Sequence, residues 1–199
     1  VEKDLGWEGF DIVLQFREEK ISARTSLLGK HNLYNILSAT SIAYCAGVDK
    51  EHIKEAVEAF APYDKRFRPV KSQKGYVIID DTYNANPSSM EWAIKTMLGL
   101  PTDGKRIAVL GDMQELGDKT AFYHKKLGQF LNESKIDKIF LIGTFVKNTF
   151  QEVGGDRAMI FDDKQALVES LNTNLSEGDV ILVKGSRLSK MEEIVEALA

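Results

Sequence analysis

A single cysteine, Cys45, stands in the whole chain, so no internal disulfide can form, and a reducing, cytoplasmic compartment fits that usage. Cys45 falls on an apolar helical pattern and reads as a core thiol. The three histidines, His31, His52 and His124, are scattered, and none makes a metal-ligand spacing with Cys45. No Gly-x-Gly-x-x-Gly occurs, which argues against a dinucleotide-binding dehydrogenase. Gly29-Lys30 resembles the end of a phosphate-binding loop, but His31 takes the Ser/Thr position and no glycine precedes Gly29 at the required spacing. No Ser/His/Asp or Cys/His arrangement follows from the spacing, so catalysis by nucleophile or metal is not visible. No apolar run approaches the roughly 20 residues of a membrane span. The amino terminus carries no signal-like pattern. A net charge of −4 gives no general attraction to nucleic acid or to acidic membrane surfaces.

What is present is ordinary in bulk, with 43% hydrophobic and 28% charged residues over 199 positions, enough for one large domain or two small ones. The chain starts at Val1 within what reads as a β-hairpin, Phe10 to Phe16 and Lys20 to Thr25, turning at Arg17-Glu18-Glu19. Two strands alone are marginal in water, so the expectation is a fragment whose remaining sheet lies upstream. Two helices follow. One runs from about His31 to Ala46 with Gly47 placed to end it, and one from about Lys50 to Phe60, broken by Ala61-Pro62. A short hairpin, Phe67 to Lys71 and Tyr76 to Ile79, turns at Lys74-Gly75.

From Pro87 onward helices and apolar strands alternate strictly, which predicts an α/β fold with a mainly parallel sheet covered on both faces. The change of rhythm places a domain boundary between residues 80 and 81, giving domains 1–80 and 81–199. The residues after successive strands are Asp80-Asp81, Gly111-Asp112, Gly143-Thr144, Asp162-Asp163 and Lys184-Gly185-Ser186-Arg187. Small and polar residues thus gather along the carboxyl edge, where such sheets bind ligands. Asp162-Asp163 reads as a cap for the next helix. Lys184-Gly185-Ser186-Arg187 reads as an anion site, because a flexible backbone, a hydroxyl and two cations converge there.

In Asp80-Asp81-Thr82-Tyr83-Asn84-Ala85-Asn86-Pro87 two carboxylates and two further amides sit at a strand-to-helix junction, with Asn86 able to cap the helix and Pro87 at its first position. The acids are either site residues or polar loop. His31, Asn32 and Asn35 lie within one turn of a helix start. Asparagine amides suit a purine edge, whereas His31 or Asn32 could equally cap the helix. Asn35, a turn inside, is not explained by capping.

Taken together, Gly29-Lys30-His31-Asn32-Leu33-Tyr34-Asn35, Arg66, Asp81-Thr82-Tyr83-Asn84-Ala85-Asn86-Pro87, Leu110-Gly111-Asp112-Met113-Gln114-Glu115-Leu116-Gly117 and Lys184-Gly185-Ser186 resemble the Mur ligases of peptidoglycan synthesis. The Tyr-Asn-Ala-Asn-Pro and Leu-Gly-Asp-Met-x-Glu-Leu-Gly strings match the branch that joins D-alanyl-D-alanine to UDP-N-acetylmuramoyl-tripeptide. The resemblance implies a Rossmann-like carboxyl-terminal domain preceded by the end of an ATP-binding central domain. It also implies ATP as cofactor, with magnesium ligands, a P-loop and further domains of the same polypeptide upstream. The implied chemistry is activation of a carboxylate to an acyl phosphate, then attack by an amine. Asn32 and Asn35, with His31, would face adenine. Arg66 would approach the phosphates, and Asp81 would contact the ribose and sit at a hinge. Asn84, Asn86, Lys184 and Ser186 would face the dipeptide or acyl phosphate. The family commonly has Gly-Arg where this chain has Lys65-Arg66-Phe67-Arg68, so Arg68 competes with Arg66 for the role. A related ligase such as a folylpolyglutamate synthase and a non-catalytic nucleotide-binding module are the other readings.

Overall fold

The computed structural model describes residues 1–153 and 155–199, which form two compact units. The first takes Val1–Pro62 with Gly99–Pro101, the second Tyr63–Leu98 with Thr102–Ala199.

In the first unit, strands β1 (Lys3–Asp4), β2 (Phe10–Phe16) and β3 (Glu19–Thr25) form an antiparallel sheet, followed by helices α1 (Lys30–Cys45) and α2 (Lys50–Ala59). Alternation along β2 and β3 sends Phe10, Ile12, Leu14, Ile21 and Ala23 to one face, where they pack with Ile36 of α1 and Ile53 and Val57 of α2. Only Ile36 and Thr40 of α1 are buried. Its remaining apolar positions do not all share that face, and Cys45, at the last turn, is exposed rather than a core thiol. Asp49 starts α2 by accepting the Glu51 N–H.

In the second unit a six-stranded sheet has the order β4-β5-β9-β6-β7-β8. The strands are β4 (Arg68–Lys71), β5 (Val77–Asp81), β6 (Arg106–Gly111), β7 (Lys138–Ile142), β8 (Ala158–Phe161) and β9 (Val180–Lys184). The helices between and after them are α3 (Pro87–Gly99), α4 (Thr120–Glu133), α5 (Val146–Val153), α6 (Lys164–Asn174) and α7 (Glu192–Leu198). Only the β4–β5 pair is antiparallel. This is the mainly parallel α/β architecture that the alternating rhythm predicts. One face carries Ile78, Ile107, Val109, Phe140, Ile181 and Val183 against Leu167 and Leu171 of α6 and Ile194 of α7. The intervening strand residues Ile79, Ala108, Leu110, Leu141 and Leu182 are equally inaccessible, as a sheet covered on both sides requires.

β4 and β5 hydrogen-bond into this sheet, so the second compact unit starts at Tyr63. The change of rhythm at Asp81 marks where parallel alternation sets in. The two acids read as following the strand are its last two residues. The last helix, read from Ser189, starts at Glu192 after a 3-10 turn over Arg187–Ser189.

Because Ile181 is fully buried in the central strand and Leu188 is 79% exposed, their truncations should diverge. Ile181→Ala is expected to cost about 3 kcal/mol and Leu188→Ala less than about 0.5 kcal/mol, read by urea unfolding. Similar losses for the two would contradict the burial pattern.

Candidate functional site

The parallel register sets Asp81, the last residue of β5, beside Lys184, the last residue of β9. Neighbours in register share a face, and here the ammonium and carboxylate meet at 2.7 Å with side chains 2% and 16% exposed. Lys184 Nζ also donates to the Asn84 carbonyl at 2.8 Å. The other Asp81 oxygen accepts the Phe67 N–H at 3.1 Å. One buried ion pair therefore ties three segments: the approach to β4, the Asn84 turn after β5, and the end of β9. Asp80 points to the other side, accepting the Thr82 N–H and hydroxyl. Burial holds its carboxyl above the usual range, against those two bonds.

Arg66 lies on the segment so anchored. Lys65 and Phe67 on either side have φ of 59° and 52°, a left-handed conformation costly for residues with side chains. The contacts that hold them there are specific. Tyr83 N–H donates to the Lys65 carbonyl at 3.0 Å, Phe67 N–H reaches Asp81, and the Phe67 ring is buried. Lys65 Nζ pairs with Glu192 at 3.1 Å, and Arg187 pairs with the same oxygen at 2.7 Å. Burial pushes the Glu192 carboxyl up, but its own backbone N–H and the Lys65 ammonium outweigh that and hold it below the usual range. The Arg66 guanidinium carbon lies over the Tyr83 ring, 4.0 Å from its centroid. Arg68 is paired with Asp64 on the surface. Of the two candidate arginines, Arg66 is the one that no carboxylate engages among the described residues.

The turn after β9 differs from its reading as a flexible anion cradle. Lys184 is spent on Asp81 and Arg187 on Glu192. Gly185 serves close packing: a Cβ there would stand 2.7 Å from Met191 Cγ and 3.2 Å from the Gly111 Cα. Ser186 is 2% exposed, its N–H donating to the Asp112 carbonyl and its hydroxyl lying 3.1 Å from that of Ser189. On the Asn84–Asn86 turn, Asn86 accepts the Ser89 N–H as a helix cap, as its position predicts, while Asn84 Oδ1 takes the Ala85 N–H and its side chain stays exposed. Asp163 caps α6 through the Ala166 N–H, also as read.

Asp112, at the end of β6, accepts three backbone N–H groups, from Thr144, Phe145 and Val146, and so closes the start of α5. Beside it His124 is fully buried. Its Nε2 accepts the Met113 N–H at 3.2 Å. Thr149 Oγ1 donates to the His124 carbonyl at 3.0 Å, which leaves it to accept from Nδ1–H at 3.2 Å. Only a neutral ring satisfies all three bonds, and burial lowers its pKa against the opposing Asp112 charge.

In the first unit neither His31 nor Asn32 caps α1: the N-cap is Gly29, with no side-chain cap bond. Asn32 Nδ2 instead donates to the Leu28 carbonyl at 2.8 Å, and Asn35 Nδ2 to Asn32 Oδ1 at 3.1 Å. Asn35 lies on the wall of a largely apolar cavity of about 360 Å³, beside Ile36, Ala43, Ile53 and Val57. His31 is half-buried at the start of the helix. Among the described residues no three His, Cys, Asp or Glu side chains come together to hold a metal ion. Sequence reasoning did not find Tyr83, Glu192 or His124, since each acts through a partner remote in the chain.

Residues 65–187 match the family model described as Mur ligase, glutamate ligase domain. The chain is 36% identical over 176 residues to the UDP-N-acetylmuramoyl-tripeptide–D-alanyl-D-alanine ligase of Bacillus subtilis, covering 86% of this chain and 38% of that one. It is 32% identical over 194 residues to the ligase of the same name from Escherichia coli, covering 96% and 42%. The chain thus spans about two fifths of the length of these relatives. Among solved structures, MurF from Acinetobacter baumannii superposes with a TM-score of 0.84 at 28% identity, over 94% of this chain and 41% of that one. MurF ligase from Thermotoga maritima, solved in complex with ADP, shares the fold with a TM-score of 0.75 at 24% identity, over 94% and 44%.

The His124 arrangement carries a pH dependence with a definite sign. Its folded pKa lies below the unfolded value of about 6.5, so the unfolded chain takes up the proton first. The His124 contribution to stability is complete above about pH 6.5 and is lost as pH falls from there towards the folded pKa. His124→Gln, which keeps an acceptor for Met113 without titrating, should flatten the fall in urea-unfolding free energy between pH 7 and 5. Equal slopes for the two proteins would contradict the neutral clamp.

Proposed function

The chain belongs to the Mur ligase family, and from that membership we propose that it forms part of an ATP-dependent amide ligase joining D-alanyl-D-alanine to UDP-N-acetylmuramoyl-tripeptide. The work of such a ligase is to turn a carboxylate into an acyl phosphate and to let an amine displace the phosphate. ATP, when bound, supplies the phosphoryl group; magnesium is assigned no residue of this chain. The observation that carries the reading is Arg66. It is a cation that no carboxylate engages among the described residues, held at the carboxyl edge of a parallel sheet by a backbone that its neighbours force into an uncommon conformation. A guanidinium presented in this way offers up to five N–H groups to a transferring phosphoryl, whose charge builds on its peripheral oxygens.

The other groups fall into place around that centre. Asn35, with an amide on an apolar wall, suits the edge and face of adenine; Asn32 orients that amide, and His31 stands at the start of the same helix. Asp81, already neutralised by Lys184, retains lone pairs for a ribose hydroxyl. Asn84 offers an exposed amide to the dipeptide. Lys184 and Ser186 contribute by shaping this edge. The first unit is proposed to be the carboxyl-side part of the ATP-binding central domain, and the second the carboxyl-terminal ligase domain. A cytoplasmic setting follows from these substrates. Among the described residues no helix is long and apolar enough to cross a membrane.

The test is phosphate release by the intact ligase given ATP, magnesium and the muramoyl tripeptide, with D-alanyl-D-alanine compared against single amino acids and glutamate. Release that depends on D-alanyl-D-alanine is expected, and release with glutamate alone would move the chain to a sister branch. Arg66→Ala should lower kcat by about 10²–10³-fold with little change in thermal unfolding. Unchanged turnover would remove Arg66 from the chemistry.

A further inference from the structure

We propose that Tyr83 is the positioning residue that holds the Arg66 guanidinium in its working orientation, an inference that rests on the role given to Arg66 above. The antiparallel pairing of β4 with β5 closes at Arg68 and Asp80. Beyond it the two arms stay together through Phe67 N–H to Asp81 and Tyr83 N–H to the Lys65 carbonyl. These bonds set the backbones of residues 66 and 83 opposite each other, and the guanidinium carbon lies over the Tyr83 ring, 4.0 Å from its centroid.

An arginine on a surface samples many rotamers, and ordering it costs conformational entropy when an anion arrives. The protein could lower that cost with a carboxylate, as it does for Arg68 with Asp64 and for Arg187 with Glu192. A carboxylate, however, occupies the N–H donors that an anion needs and cancels the charge. An aromatic face restrains the cation through its π surface and leaves the donors in the guanidinium plane free. Tyr83 is 45% exposed, so its ring is retained at the surface without being needed to fill the core. The contact uses the ring and not the hydroxyl, so phenylalanine should replace tyrosine and alanine should not.

The test is a double-mutant cycle in the intact ligase, following phosphate release with D-alanyl-D-alanine as acceptor and thermal unfolding in parallel. Tyr83→Phe is expected to turn over within twofold of the parent. Tyr83→Ala should lower kcat about three- to fivefold, with the KM for D-alanyl-D-alanine and the unfolding midpoint unchanged. Added to Arg66→Ala, Tyr83→Ala should cost nothing further, because its partner is already gone. Independent, multiplicative losses, or a Tyr83→Phe protein as slow as Tyr83→Ala, would overturn the inference while leaving the role of Arg66 in place. An Arg66→Ala protein as fast as the parent would overturn both, and is read separately from the Tyr83 variants.

Discussion

The carboxyl edge of the parallel sheet depends on the ion pair between Asp81 and Lys184. A lysine 2% exposed is costly to bury unless its charge is matched. Asp81 supplies that match, and the Asn84 carbonyl takes another donor. The surplus acceptor on Asp81 then fixes Phe67. Removing one member of such a pair strands the other, at a cost of about 3–5 kcal/mol where both are fully buried; the partial exposure of Asp81 places this pair below that figure. The pair therefore acts on conformation more than on net stability. It decides where the turn after β5 runs and how the chain enters β4.

The distribution of cations along this edge follows from that constraint. Lys184 is consumed by the pin, while Lys65 and Arg187 share one oxygen of Glu192. Arg66, set between two left-handed residues and beside an aromatic ring, has no carboxylate partner among the described residues. Neutralising the surrounding charges and leaving one guanidinium open concentrates the positive potential at a single point, the arrangement that phosphoryl transfer exploits. Behind this edge, Asp112 and His124 fix the end of β6 to α5 and, through the Asp112 carbonyl, to Ser186. The wall is thus held from both sides of β9.

Much of this was legible in the chain because local pattern encodes it. The caps at Asn86 and Asp163 depend on neighbours within a few residues and form as read, and the apolar run Tyr76 to Ile79 marks a strand that runs from Val77 to Asp81. What was not legible depends on register. Lys184 and Asn84 lie 100 positions apart, and only insertion of β9 between β5 and β6 brings them together, so Lys184 read as a free cation. Gly185 read as flexible because the approach of Met191 and Gly111 is a tertiary fact. Cys45 read as core because helical spacing identifies a face but not how far along the helix that face is covered. Tyr83 belonged to a recognisable string, yet its use as a platform became visible only once the left-handed residues at 65 and 67 brought Arg66 across to it.

If the Asp81–Lys184 pair holds the Arg66 segment in place, hydrogen exchange at the Phe67 amide will register its loss. That N–H has Asp81 as its acceptor, so its protection reports whether the carboxylate stays where Lys184 puts it. In the Lys184→Met protein exchange at Phe67 is expected to be faster by about tenfold or more, with the amides of β6 and β7 unchanged. Protection at Phe67 equal to that of the parent would contradict it.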